Sequence, residues 1–136
     1  MTNEELCRLA VKAMYNSYSP YSGYRVGAAL LSESGKVYTG CNIENASYTP
    51  TVCAERTAFF KAVSEGEREF IKIAVAGGNN GNITGEFPPC GVCRQVMAEF
   101  CDENFEIIVV KSDNEYESYK LAELLPNSFS AKHITK

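Results

Sequence analysis

Cys90-Gly91-Val92-Cys93 is a C-x-x-C pair, and Cys53, followed by Ala54-Glu55-Arg56, stands well upstream of it. Both elements fall where strand-and-loop sequence gives way to a helix. Free N–H groups at a helix N-terminus lower a thiol's pKa, and the thiolate is the form that binds metal. Alone, the C-x-x-C would equally be a redox pair or half of a zinc knuckle. With Cys53 it makes three thiolates, which suit zinc, a borderline-soft ion that takes cysteine in tetrahedral sites. A closed structural site needs a fourth protein ligand. Cys7, Cys41 and Cys101 lie in apolar or strand patterns and read as small buried hydrophobes, and the lone histidine, His133, falls in a tail. Three ligands and an open fourth position is the arrangement of a catalytic zinc, which brings the pKa of bound water toward neutrality. Glu55, two residues after Cys53, projects from the same first turn and can take and relay that proton. The plainer alternative is that it only complements the helix dipole. Arg56 and Arg94 directly follow Glu55 and Cys93. Guanidinium donors near thiolate sulfurs would draw charge from the metal's ligands, and Arg56 is the better placed of the two for this. Otherwise they are solvated arginines on a helix surface.

These residues need elements to hold them. Thr2-Asn3-Glu4-Glu5 is a capping box, and Leu6, Leu9, Ala10, Ala13, Met14 and Ser17 follow at helical spacing, which predicts a helix over about 3–17. A turn at 18–23 leads into two β-rich runs, 24–31 and 36–42, joined by Ser32-Glu33-Ser34-Gly35 as a hairpin. Thr49 as cap and Pro50 as first helical residue predict a second helix that stops at Gly66. Residues 71–76 form a short apolar strand, and 77–86, rich in Gly and Asn, an exposed loop. Pro88-Pro89 precedes a helix carried to about 100 by Val92, Val96 and Phe100, and 105–111 is an apolar, β-branched strand. A polar stretch and a short helix over 121–125 end at Pro126. The order α-β-β-α-β-α-β, then a weaker β and α, predicts one mixed sheet covered by helices on both faces.

Composition narrows the function classes. The chain has 136 residues, 45% hydrophobic and 22% charged, which is ordinary for one globular domain with a core that needs no staples. Thirteen Lys+Arg against seventeen Asp+Glu give a net charge of −4, so the basic field that nucleic-acid binding needs is missing. No apolar run approaches the roughly eighteen residues of a membrane span. The opening Met-Thr-Asn-Glu-Glu-Leu lacks a basic segment followed by an apolar one, and a cytoplasmic protein is expected. In that compartment six cysteines mean buried thiols and a metal site rather than disulfides.

Three stretches bring these readings together: Cys53-Ala54-Glu55-Arg56-Thr57-Ala58, Pro89-Cys90-Gly91-Val92-Cys93-Arg94-Gln95, and Gly40-Cys41-Asn42-Ile43-Glu44-Asn45-Ala46. In them the chain resembles a cytidine deaminase of the short, all-cysteine-ligand type, and the likeness runs from Pro20-Tyr21-Ser22 to Leu124-Leu125-Pro126-Asn127-Ser128-Phe129. The resemblance implies a three-layer α/β/α sandwich with a mixed five-stranded sheet, a single domain over 1–136, and one zinc ion per subunit held by Cys53, Cys90 and Cys93. It implies hydrolytic deamination of cytidine and 2′-deoxycytidine in pyrimidine salvage, with Glu55 as the catalytic proton shuttle. Asn42 and Glu44 match residues that hold the ribose hydroxyls, and Tyr24 and Ala54 match others on the substrate side. The resemblance further implies a homotetramer with shared sites, in which Tyr48 and Phe129 reach a neighbour's nucleoside and the tail 126–136 contacts that neighbour. The chain departs from the family pattern in having Tyr24 where Phe is common, a longer loop at 77–86, and Pro88-Pro89 in place of Ser-Pro. Two rival readings are a deaminase of another nucleoside, such as a blasticidin-type antibiotic, and a non-catalytic zinc-stabilised binding module. The second would need a fourth ligand or the loss of Glu55.

Overall fold

Thr2 starts the first helix, α1 (Asn3–Met14), by the predicted capping box: its hydroxyl accepts from the Glu5 N–H at 3.1 Å, and the Glu5 carboxylate accepts from the Thr2 N–H at 3.0 Å. The structure is a computed structural model that describes residues 1–79 and 81–135. Position 80 of the predicted loop and Lys136 of the predicted tail lie outside the described residues. The helix stops at Met14 rather than at 17. The N–H groups of Tyr15, Asn16 and Ser17 turn back to carbonyls three residues earlier, and the Ser17 hydroxyl leaves the helix for Asn42 Oδ1 at 2.5 Å.

The hairpin follows as β1 (Tyr24–Ser32) and β2 (Val37–Cys41). Next come α2 (Ala54–Ser64), β3 (Phe70–Asn79), β4 (Asn82–Gly85), α3 (Gly91–Phe100), β5 (Glu106–Ser112), β6 (Glu115–Lys120) and α4 (Leu121–Leu124). The second helix begins later than Thr49 and Pro50 suggested, with Cys53 at its cap. Tertiary pairing decides this, because Val52 and Ile43 exchange both backbone hydrogen bonds at 3.0 Å and so hold Val52 extended. The predicted loop over 77–86 is also different. Gly77, Gly78 and Asn79 continue β3 opposite Val26, Arg25 and Tyr24, and β4 folds back on them. Its Gly and Asn content suggested a coil, and pairing with β1 overrode that weak preference.

Among the described residues six strands form one sheet, five of them in the order β2-β1-β3-β5-β6, with β4 added beside β3. β3 and β5 pair in parallel and the other pairs are antiparallel. This is the predicted mixed sheet of five strands, widened by one. Strand alternation then makes two cores. Ala29, Leu31, Ala74, Ala76, Ile108 and Val110 meet Leu6, Ala10 and Met14 of α1. On the opposite face Ala28, Leu30, Ile73, Val75, Ile107 and Val109 meet Ala58 and Phe59 of α2 and Met97 of α3. Burial on both faces produces three layers, α/β/α, and puts α2 and α3 side by side on one of them.

Contact between α2 and the hairpin depends on Gly40. A Cβ there would lie 2.5 Å from the Ala54 carbonyl oxygen and 2.6 Å from the Ala58 amide nitrogen. Backbone cannot yield to that as a flexible side chain can. Gly40→Ala is therefore expected to destabilise the fold by about 1–3 kcal/mol, the usual penalty for overpacking, measured by urea denaturation. A variant with unchanged unfolding midpoint would show that α2 does not need this close approach.

Candidate metal centre and nucleoside cavity

Cys53 caps α2 and Cys90 caps α3, both in extended backbone, and neither sulfur is used in a capping hydrogen bond. Cys93 lies one turn into α3 and is buried. Because the two helices lie side by side with their starts at the same end of the sheet, the three sulfurs converge within 4.8 Å of one another. Among the described residues this is the one His/Cys/Asp/Glu cluster tight enough to hold a metal ion. Cys53 and Cys90 sulfurs are 3.7 Å apart. Tetrahedral zinc with bonds of about 2.3 Å holds its sulfurs about 3.8 Å apart, so this pair already has the spacing the ion requires.

The donors around Cys53 favour its thiolate. A hydrogen bond from Cys93, with further donors from Arg56 and Cys90, brings the Cys53 thiol down to about 5 against the opposing effect of burial. As the donor of that bond, Cys93 is pushed up. Arg56 Nη2 donates to Cys53 Sγ at 3.4 Å, so Arg56 does lie against the sulfur cluster, as its position beside Cys53 and Glu55 suggested. Arg94 does something else. Its Nε donates to the Pro89 carbonyl at 2.8 Å and its Nη1 to the Leu124 carbonyl at 2.6 Å, bracing the peptide just before Cys90 against the end of α4. The idea that it tunes the sulfurs is thus replaced by a positional role.

Glu55 is only 3% exposed, which is unusual for a carboxylate without a cationic ion-pair partner. Burial, aided by charge on Cys53, pushes its carboxyl up to about 7. It lines a cavity of about 270 Å³ together with Cys53, Cys90, Ala54, Asn42 and Glu44. Larger hollows occur elsewhere on the chain, so chemistry rather than size distinguishes this one. Both polar residues at its outer end are fixed in advance. Asn42 Oδ1 accepts from Ser17 Oγ and from the Val26 N–H at 2.9 Å, and Nδ2 donates to the Tyr24 carbonyl at 2.9 Å. At most its second N–H is left to donate to a ligand. Glu44 accepts from the Ser22 hydroxyl and from the N–H groups of Ser22 and Tyr21, at 3.0 and 2.9 Å. Those bonds, the Ser22 hydroxyl first, hold its carboxyl below the usual range and keep it an acceptor.

Cys53, Cys90, Cys93, Ala54, Glu55, Arg56, Asn42 and Glu44 thus come together. Tyr24 does not line the cavity; its ring, nearly half exposed, packs on Phe87 at 5.8 Å. Tyr48 is 72% exposed and meets Tyr21 edge-on. Phe129 is 60% exposed and stacks on His133, its carbonyl accepting from Gln95 Nε2 at 2.8 Å. Neither reaches the cavity of its own chain. Phe87, by contrast, lines it and was not anticipated. The available signal was an aromatic residue three positions before Cys90.

Residues 1–109 match the family described as the cytidine and deoxycytidylate deaminase zinc-binding region. The chain belongs to that family. It is 46% identical over 135 residues to a cytidine deaminase of Sporosarcina psychrophila, covering 99% of this chain and 96% of the relative. To a probable cytidine deaminase of Dictyostelium discoideum it is 44% identical, over 97% of this chain and 89% of the other. Among solved structures, a cytidine deaminase from Burkholderia pseudomallei superposes with a TM-score of 0.87 at 43% identity, over 95% of this chain and 100% of that one. The cofactor of this deaminase-family fold is zinc, and the three converging thiols fit it.

Removing the positive charge at the sulfurs tests the role of Arg56. Arg56→Gln keeps all three thiols, and zinc retention against a competing chelator is expected to fall by about 10–100-fold. Parent-like retention would make Arg56 a bystander.

Proposed function

We propose that the chain catalyses the hydrolytic deamination of cytidine and 2′-deoxycytidine to uridine and deoxyuridine, releasing ammonia, as a cytoplasmic step of pyrimidine salvage. We read 1–136 as a single domain of this kind. The observation that carries the proposal is the buried Glu55 carboxylate in one cavity with the converging thiols and with Asn42 and Glu44.

Cys53, Cys90 and Cys93 would hold the zinc ion, which would supply a water acidic enough to act as nucleophile at neutral pH. Glu55 would take one proton from the attacking water and place it on N3 of the pyrimidine, then carry the second, from the new C4 hydroxyl, to the departing amino group. Overall a C4–O bond forms, the exocyclic C4–N bond breaks, and ammonia leaves. Burial keeps bulk water from the carboxyl, so its proton passes to the substrate and not to solvent. Asn42 donates to, and Glu44 accepts from, the hydroxyls of the ribose, which turns C4 toward the metal end of the cavity. Ala54, with no bulk beyond Cβ, leaves room for the base beside Glu55.

Glu55→Gln keeps the shape and removes the proton carrier. Cytidine turnover, followed by ultraviolet absorbance, is expected to fall by at least about 10²–10⁴-fold while zinc content holds. Activity within a few-fold of the parent would remove Glu55 from the shuttle role.

The same proposal extends to a homotetramer in which Tyr48 and Phe129 complete a neighbour's site and the tail 126–136 lies against that neighbour. Support comes from two large aromatic rings, Tyr48 against Tyr21 and Phe129 against His133, that are 72% and 60% exposed on their own chain. Mixing a Glu55→Gln chain with a Phe129→Ala chain is expected to restore part of the activity, since some sites then combine an intact Glu55 with a neighbour's intact Phe129. No recovery after verified subunit exchange would refute shared sites.

A further inference from the structure

Phe87 lines the cavity, and neither the metal chemistry nor the ribose contacts use it. It lies between β4 and α3, three residues before Cys90, so its backbone is tied to the metal end of the cavity. The seat for its ring is made by a missing side chain. In the antiparallel pairing of β1 and β3, Val26 stands opposite Gly77 and Tyr24 opposite Asn79. Residues directly opposite share a face, so Gly77 belongs to the row that includes Val26, another lining residue of the cavity. A Cβ on Gly77 would lie 2.4 Å from Phe87 Cγ, 2.6 Å from Cδ1 and 2.9 Å from Cβ. The backbone of Gly77 is not in the left-handed region, so glycine is required there for space and not for conformation. Tyr24 flanks the seated ring, tilted 50° to it.

Resting on the deaminase reading above, we propose that Phe87, seated in the notch of Gly77 and flanked by Tyr24, is a specificity-determining residue that forms the aromatic wall against the substrate's pyrimidine ring. The chemistry of the lining assigns it to the base. Asn42 and Glu44 offer polar groups to a sugar, whereas Phe87 and Pro88, within three residues of Cys90, offer apolar surface to a base whose C4 must reach the thiols. A flat ring on a fixed seat favours a planar heterocycle over a puckered sugar. Tyr24 flanks this wall, its ring 5.8 Å from that of Phe87.

Steady-state kinetics of the zinc-loaded parent, Phe87→Ala, Gly77→Ala and the double variant test the assignment, with cytidine and 2′-deoxycytidine as substrates. Phe87→Ala is expected to raise KM about 5–10-fold for both substrates alike, with kcat within about twofold and zinc content unchanged. Gly77→Ala should raise KM at least as much, because its methyl group pushes the ring out of the notch. The double variant should be no worse than Phe87→Ala alone, since no ring remains to be displaced. A KM within about twofold of the parent in Phe87→Ala, or a rise confined to one of the two nucleosides, would overturn the wall against the base. So would fully additive effects in the double variant. Should Gly77→Ala fail to fold, Phe87→Ala with the two nucleosides decides alone. Failure of the deaminase reading has a different signature, a zinc-loaded parent that turns over neither nucleoside.

Discussion

Three sulfurs within 4.8 Å of one another concentrate negative charge once they ionise, and much of this structure serves to make that tolerable. The starts of α2 and α3 meet at the cluster, so free N–H groups of two helices face it. Arg56 adds a full positive charge at 3.4 Å from Cys53. The net effect is a site that prefers a dication, and a carboxyl, Glu55, that burial first and the charge on Cys53 second dispose to hold a proton. The charge of Arg56 opposes both.

The spacing of the thiols is set by packing well away from them. Glycine at position 40 lets α2 lie directly on the hairpin, and the layer formed by α2 and α3 is locked by Phe59 among Phe70, Phe100 and Phe105. Arg94 then ties the peptide before Cys90 to the end of α4, and Gln95 holds the Phe129 carbonyl. Two neighbouring residues of α3 therefore join the metal loop to the C-terminal segment.

The cavity is rigid in its polar parts and open at its mouth. Asn42 and Glu44 each satisfy several backbone donors or acceptors before any ligand arrives, which lowers the ordering cost of binding. Phe87 is fixed by a different device, the absence of a side chain beneath it. Tyr48 and Phe129 are the most exposed aromatic rings, ahead of Tyr15, Tyr18, Tyr21, Tyr24 and Phe60, and among the described residues no helix is long and apolar enough to cross a membrane.

From the sequence alone, the thiol set, Glu55 and Arg56 were legible, because metal chemistry restricts both residue type and short-range spacing. The capping box of α1, the hairpin and the alternating apolar strands were legible for a similar reason, being local patterns with periods of 3.6 and 2. What escaped were features made by partners distant in the chain. The start of α2 was misplaced because Val52 is held extended by Ile43, and no local preference of Thr49 or Pro50 reveals that pairing. Gly77, Gly78 and Asn79 looked like loop until β1 was laid beside them. Arg94 was the weaker candidate beside Arg56, and the phase of α3 turns it toward Pro89 and Leu124. Phe87 became part of the site only because Gly77 lies under it. Sequence determined which groups can do the chemistry; only the tertiary structure decided which of them face one another, since long-range strand pairing and close backbone approach leave no local periodicity to read.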